Sequence, residues 1–219
     1  MTSTWDEGKE VSIKFYSSKV FRKAEQFNHK HYLPLYFDTM IGEKTYVKVA
    51  DVGAGMFSTI GTMWFNGEKQ VDIEVFPSDL LADTYNKILK EKNIIPLTPV
   101  EKQDMENLTY ADNFFDIVHC VNAIDHCTNP ARAIYEMVRV CKPGGWVYLR
   151  HYTNTATEQA HSGLHQWDIV ATYNEKDCLF KGKNEEFLLS KGYPFKTRLG
   201  REFGYEPRNM VISMMQKPL

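Results

Sequence analysis

The chain has 219 residues, 43% of them hydrophobic and 25% charged, which is close to the globular average and excludes a disordered or fibrous protein. Its 26 Lys and Arg against 28 Asp and Glu leave a formal charge of −2, so the chain has no general attraction for phosphate backbones and no nucleic-acid partner is expected. No apolar run reaches the roughly 20 residues of a membrane helix, the opening MTSTWDEGKE lacks the parts of a signal peptide, and Cys120, Cys127, Cys141 and Cys178 form no C-x-x-C pair; the expectation is a cytoplasmic protein with reduced thiols and no membrane partner.

In chain order, residues 1–44 mix aromatic and charged side chains, and Val20, Phe21, Ala24 and Phe27 fall at helical spacing, so a helical cap or lid is expected there. TYVKVADVGAG then runs a β-branched stretch into glycines, a buried strand at about 45–51 followed by a tight turn. VDIEVF gives a second strand at 71–76, and SDLLADTYNKILKEKN a helix with Leu81, Tyr85, Ile88 and Leu89 on one face and Ser78 or Asp79 as its cap. A short third strand is expected around 99–102 and a continuous apolar strand at 114–124. NPARAIYEMVRVCKPGG is a punctuated helix, with Asn129 as cap, Pro130 in the first position and a stop at Pro143-Gly144-Gly145. WVYLR, 146–150, is the fifth strand.

Strands alternating with helices dictate an α/β fold, a Rossmann-like, mainly parallel sheet with helices on both faces. FKTRLGREF and MVISMMQK are separated only by GYEPRN, too short for a parallel crossover, so 193–219 is expected to close the sheet with an antiparallel hairpin, giving seven strands. Between them, 151–192 reads as an insertion after strand five, with QWDIVATY and DCLFKGK as strands and NEEFLLSKG as a helix. The whole chain is expected to form one domain, its core at 45–150.

Three signals fall along the carboxyl ends of the strands, where an open α/β sheet forms its ligand crevice. Asp51, Gly53 and Gly55 close strand one; the glycines allow a close backbone approach, but Phe57 and Ser58 replace the rest of a G-x-G-x-x-G fingerprint, which argues against a nicotinamide dinucleotide. Asp79, followed by Leu80, closes strand two, where a carboxylate accepts from ribose hydroxyls or caps a helix. Asp104 and Met105 follow strand three, where an acid accepts from an adenine amino group and a thioether packs on the ring.

In VADVGAG, VFPSD, QDMENLTYADNFFDIVHC and HCTNPARAIYEMVRVCKPGGWVYL, the chain over about 45–150 resembles the class I S-adenosylmethionine-dependent methyltransferases, especially their small-molecule, type 11 branch. The resemblance implies S-adenosylmethionine as cofactor, with Asp51, Gly53 and Gly55 around its methionine part, Asp79 at the ribose, and Asp104 with Met105 at the adenine. Only about 15 residues separate Gly55 from the second strand, so the helix the family usually places there must be short or irregular.

Methyl transfer needs an acceptor aligned in a dry site and, for a hydroxyl or a protonated amine, a base. Asn122, Asp125 and His126 follow strand four, beside the expected methyl; His126 is the first choice of base, with Asp125 to orient it and His151 as the alternative. His161-Ser-Gly-Leu-His165-Gln-Trp167 resembles a string in related small-molecule enzymes, and His165 and Trp167 are expected to wall a small-molecule acceptor. His151, His161 and His165 lack a metal-site spacing and no metal is expected; His29 and His31 are expected in a lid or on the surface. Residues 176–201 carry seven Lys or Arg against three acids, which permits an anionic or sugar-like acceptor. The expected activity is O-methylation, less readily N-methylation, of a small polar molecule; the alternative is a non-catalytic cofactor-binding partner or sensor.

Overall fold

The computed structural model describes residues 4–27, 36–65, 67–202 and 208–219. Its elements are α1 (Thr4–Phe27), α2 (Phe37–Ile41), β1 (Tyr46–Val52), β2 (Met63–Phe65), β3 (Gln70–Asp79), α3 (Ala82–Glu91), β4 (Glu101–Lys102), β5 (Phe115–Val121), a 3-10 turn at Ile124–His126, α4 (Pro130–Val140), β6 (Cys141–Tyr152), α5 (Thr155–Glu158), β7 (Asp168–Ala171), β8 (Cys178–Lys181), β9 (Glu186–Leu188), a second 3-10 turn at Leu189–Lys191, β10 (Lys196–Glu202) and β11 (Arg208–Gln216). Among the described residues no helix is long and apolar enough to cross a membrane. His29 and His31 lie outside the described residues, as do the side chains of Val20, Phe21, Ala24 and Phe27 within α1.

The main sheet runs β10-β11-β6-β5-β1-β3, with β2 and β4 both on the outer edge of β3. β3, β1, β5, β6 and β4 are parallel, and β10 and β11 form the expected antiparallel hairpin against β6. The fold is thus α/β with a mainly parallel sheet and an antiparallel closing hairpin. The eighth strand is β2, antiparallel to β3 through Met63↔Asp72, and it lies in the stretch where the sequence left room only for a short or irregular helix. Residues 53–62 form no helix, because they run as an irregular loop into that strand.

Alternation along the strands divides the core in two. Val47 and Val49, Ile117, Tyr148 and Ile212 face α2 with Phe37, Met40 and Ile41. Ala50 and Val52, Val118 and Cys120, Val147 and Leu149, and Val211 face α4 with Ala133, Ile134 and Met137. Asn129 caps α4 by accepting from the Arg132 N–H at 3.0 Å, with Pro130 in the first turn, as the sequence requires. The helix ends at Val140, ahead of the expected stop, and Pro143-Gly144-Gly145 lies inside β6 beside a register irregularity of β5.

The segment after β6 folds as a separate three-stranded antiparallel sheet, β7-β8-β9. The first two strands match the expectation. The third replaces the helix expected at NEEFLLSKG: Leu188 pairs with Leu179, and the Phe187 ring stacks on Phe180 with centroids 4.9 Å apart. Pairing with a neighbouring strand overrides the local helical pattern.

Candidate active site

The loop after β1 turns by placing Gly53 and Gly55 at φ 73° and 66°, a region that favours glycine. Their neighbours fix the turn onto β3: the N–H groups of Gly53 and Ala54 donate to the Ser78 carbonyl at 2.8 and 2.9 Å, and that of Gly55 to Asp79 Oδ2 at 3.0 Å. A Cβ on Gly53 would stand 2.3 Å from the Ala123 Cβ, so backbone here is pressed against the chain leaving β5. Phe57, where a glycine was expected, is buried with Met56 against Tyr85 and Leu89 of α3. Ser58 donates to Asp51 Oδ2 at 2.7 Å.

A cavity of about 300 Å³ opens over this loop. Its floor includes Gly53 and Gly55; Asp79, Leu80 and Leu81 form one side, Gln103 to Glu106 another, and Asn122, Ala123 and His126 the far end. Asp79 accepts from Leu81 N–H at 2.8 Å as well as from Gly55, and burial raises its carboxyl above the ordinary value although these two donors hold it down. Each carboxylate oxygen has a second lone pair, so Asp79 retains acceptor capacity toward the cavity. Asp104 is exposed and accepts from Glu106 N–H at 2.9 Å, an Asx turn that presents Met105 between it and the cavity floor. Glu106 accepts from the N–H groups of Thr128 and Asn129 at 2.6 and 3.1 Å and so ties this wall to the start of α4. Over the top lies α1, whose Ser12 and Tyr16 line the cavity together with Leu164. Burial and the nearby Asp79 push the Tyr16 hydroxyl up to about 12, so it stays a neutral donor.

At the far end Asn122 takes φ 49° and its Oδ1 accepts from Tyr152 N–H at 3.0 Å, bracing the strand ends of β5 and β6. The 3-10 turn after it buries Asp125, whose Oδ2 stands 2.6 Å from His165 Nδ1 and 3.6 Å from His126 Nε2; the two histidine nitrogens are 3.2 Å apart. Burial pushes the Asp125 carboxyl up, but His126 and His165 together outweigh it and hold the group below the ordinary carboxylate range. Burial lowers His126, only partly countered by Asp125. His126 and His165 keep 25% and 27% of their side-chain surface exposed.

This geometry belongs with what comparison shows. Residues 50–149 match the family described as a methyltransferase domain. Over these residues the chain is similar to that family, in agreement with the resemblance carried by its motifs. An uncharacterized methyltransferase of Schizosaccharomyces pombe is 31% identical over 46% of this chain and 38% of its own length. The ubiquinone/menaquinone biosynthesis C-methyltransferase of Neisseria meningitidis is 30% identical over 48% of this chain and 43% of its own length. The chain thus spans about two fifths of the length of these curated relatives. In structure it is similar, at TM-score 0.58 and 14% identity over 100% of this chain and 61% of the other, to a Haemonchus contortus phosphoethanolamine N-methyltransferase bound to phosphomonomethylethanolamine and S-adenosylhomocysteine, a likeness of fold. The glycine turn on the cavity floor and the acceptors Asp79 and Asp104 on two walls fit the cofactor S-adenosylmethionine.

Of the residues singled out in the sequence, Gly53, Gly55, Asp79, Leu80, Asp104, Met105, Asn122 and His126 line one cavity, and His165, expected on the acceptor wall, is not among its lining residues. Asp51 does not: it is buried beneath the loop, occupied by His119 and Ser58. Asp125 holds His165 more closely than its neighbour His126, because adjacent side chains on a tight turn diverge. His151 is buried with neither ring nitrogen hydrogen-bonded, and burial drives it down to about 3, so it stands as a neutral core side chain away from the cavity wall. Trp167 is likewise core, 5% exposed, its indole N–H donating to the Cys127 carbonyl at 3.1 Å. His161 stays apart from the cluster, near the Gln166 carbonyl. None of the basic residues of 176–201 lines the cavity. The sequence reading missed Ser12, Tyr16, Leu164 and Glu106; for α1 no signal in the sequence says where the helix docks, whereas Glu106, four residues past the third strand, was an acid available to cap α4.

Proposed function

We propose that this chain transfers the methyl group of S-adenosylmethionine to an oxygen, less readily a nitrogen, of a small polar acceptor that enters beside His126. The observation that supports this reading is the convergence on one cavity of the glycine loop, Asp79, Asp104 with Met105, and a polar end at Asn122 and His126. When bound, the cofactor supplies a methyl group already activated by its positive sulfur. Asp79 would hold the ribose hydroxyls by charge-assisted hydrogen bonds, and Met105 would pack on the adenine, with Asp104 accepting from its amino group. Gly53 and Gly55 would let the backbone reach the amino-acid part. Tyr16 and Leu164 would cover the site and exclude water. The Asp125, His165 and His126 cluster would handle the proton or oxygen of the acceptor, with Asp125 as a positioning residue.

A carbon acceptor is the second reading, favoured by the similarity to the Neisseria C-methyltransferase. Calorimetry with S-adenosylhomocysteine, followed by transfer of labelled methyl to panels of hydroxyl, amine and activated-carbon acceptors, tests both. Micromolar binding with transfer to a hydroxyl supports the first reading; transfer to carbon alone replaces it with the second. Binding with no transfer to any panel favours a non-catalytic partner or sensor. No binding of S-adenosylhomocysteine overturns all three.

A further inference from the structure

The contacts among Asp125, His126 and His165 do not close as a hydrogen-bond chain. A ring nitrogen has one in-plane direction, which carries either a proton or a lone pair. If His165 Nδ1 donates to Asp125 Oδ2, 2.6 Å away, it has no lone pair with which to accept from His126 Nε2 at 3.2 Å. If it accepts from His126, it turns a lone pair toward a carboxylate that has none but lone pairs to offer. The third edge of the triangle, His126 Nε2 to Asp125 Oδ2, is 3.6 Å. Three electron-rich atoms therefore converge on one point with one proton at most between any two of them.

Ligand atoms held about 2.1 Å from one ion stand roughly 3.0 to 3.4 Å apart, between right-angled and tetrahedral geometry. The observed edges of 2.6, 3.2 and 3.6 Å bracket that range, and the three atoms all lie within 4.8 Å of one another. Two imidazoles and one carboxylate form the donor set of a divalent transition ion, and three protein ligands leave positions open. The partial exposure of both histidines puts those positions on the open side, and His126 belongs to the cavity wall. The two ligand-bearing segments are tied by their backbones: the Asp125 main-chain carbonyl accepts from Gln166 N–H at 3.0 Å, which docks the His165 loop onto the 3-10 turn. Nearby, the buried His151 ring supplies no hydrogen bond to any of the three.

We infer that Asp125, His126 and His165 bind one divalent transition-metal ion of the zinc, iron and manganese class, open to the methyl-acceptor end of the cavity. This reverses the expectation of no metal, which weighed His151, His161, His165 and nearby acids by spacing and did not pair Asp125 with His165 across 40 residues. An ion there takes a hydroxyl or carboxyl oxygen in its open positions and lowers the pKa of a bound hydroxyl, the proton passing to solvent. That role toward an acceptor rests on the methyl-transfer reading; the existence of the site does not.

The test uses the full chain without a histidine tag, stripped with a chelator. Titration with Co²⁺ is expected to saturate at one equivalent and to give visible d–d absorption bands, and Zn²⁺ is expected to displace the colour. His165→Gln and His126→Gln/His165→Gln should each lose the bands and weaken Co²⁺ binding by at least about tenfold. Their affinity for S-adenosylhomocysteine, measured in the same preparation, should stay within threefold of the parent and reports that they fold. Absence of saturable Co²⁺ uptake, or the same bands and stoichiometry in the double variant, overturns the inference. If the parent chain binds the ion and fails to bind S-adenosylhomocysteine, the metal site stands and the methyl-transfer reading falls.

Discussion

His119 on β5 holds Asp51 on β1: their side chains meet at 2.7 Å from Nδ1 to Oδ1, both buried, and the two residues sit opposite each other in the sheet register. The other Asp51 oxygen takes the Ser58 hydroxyl, whose own oxygen accepts from Ile60 N–H at 3.0 Å. The imidazole is held in place by Tyr148, its ring stacked within 4° at 5.4 Å. A carboxylate, an imidazole and a hydroxyl thus pin the irregular 53–62 segment to the sheet. Asp51→Ala would strand a buried imidazole and a buried hydroxyl, at a cost of about 2–4 kcal/mol. Urea denaturation measures it, and a loss below about 1 kcal/mol would show that the loop is held by packing alone.

Asp79 couples the glycine loop to the helix that follows β3, since its two oxygens take Gly55 and Leu81 N–H groups. Asp79→Ala is therefore expected to weaken S-adenosylhomocysteine by at least about 1 kcal/mol, through direct loss of the ribose acceptor and through loosening of the loop. Asp79→Asn separates the two effects, because the amide can keep one backbone contact without the charge. Unchanged affinity in both variants would remove Asp79 from the cofactor site.

What the sequence made legible is what local pattern decides. Val47 and Val49 against Ala50 and Val52 announce a strand buried on both faces, and Asn129-Pro130 announces the start of α4; both hold in the structure. The cavity walls were legible for the same reason, since strand ends in a parallel sheet lie along one edge. Long-range docking was not. Phe187 belongs to a strand only because Phe180 is there to stack on it, and His165 meets Asp125 only because β7 and the loop before it dock beneath the 3-10 turn. A buried indole and an exposed one are alike in sequence, which is why Trp167 was read as a pocket wall.

The two glycines of the loop differ in what surrounds them. A Cβ on Gly53 meets Ala123 Cβ at 2.3 Å, an atom fixed to backbone, whereas one on Gly55 meets the hydroxyl of Tyr16 at 2.5 Å, the far end of a side chain that can swing. Both positions carry positive φ, so each substitution costs about 1 kcal/mol in backbone strain. Gly53→Ala should in addition displace the chain after β5 and abolish S-adenosylhomocysteine binding, while Gly55→Ala should weaken it by about tenfold or less. Paired titrations of the two variants decide this; equal losses would mean that the Ala123 contact relaxes freely.

Asp116 draws three donors to one carboxylate: Lys44 Nζ at 2.8 Å, Lys142 Nζ at 2.9 Å and Lys48 N–H at 3.0 Å. Burial pushes its pKa up, but these donors prevail and the net direction is down. A carboxyl whose folded pKa lies below its unfolded value of about 3.9 stabilises the protein above that value and loses the contribution as pH falls through the folded pKa. Both lysines are partly exposed, which limits the effect, so Asp116→Asn should cost about 1–2 kcal/mol at pH 7. The gap between parent and variant should close as pH drops below about 4. Thermal unfolding from pH 7 to pH 3 follows it, and a gap independent of pH would assign the loss to packing.

Trp167 and His165 lie two residues apart and are expected to separate cleanly. Trp167 is in the core beneath the three-stranded sheet, near Phe187, and its N–H satisfies the Cys127 carbonyl. Trp167→Phe keeps most of the apolar volume and orphans that carbonyl, so it should cost about 1–3 kcal/mol of stability while turnover by the surviving folded protein stays near the parent value. His165→Gln removes the imidazole partner of Asp125, and at a partly exposed position the change costs little packing. It should lower turnover by at least about tenfold, with stability within ~1 kcal/mol and S-adenosylhomocysteine affinity within threefold. The comparison requires urea denaturation, calorimetry and a methyl-transfer assay on both variants. A His165→Gln protein that turns over normally would remove the cluster from the reaction, and a Trp167→Phe protein that is stable yet inactive would return Trp167 to the acceptor wall.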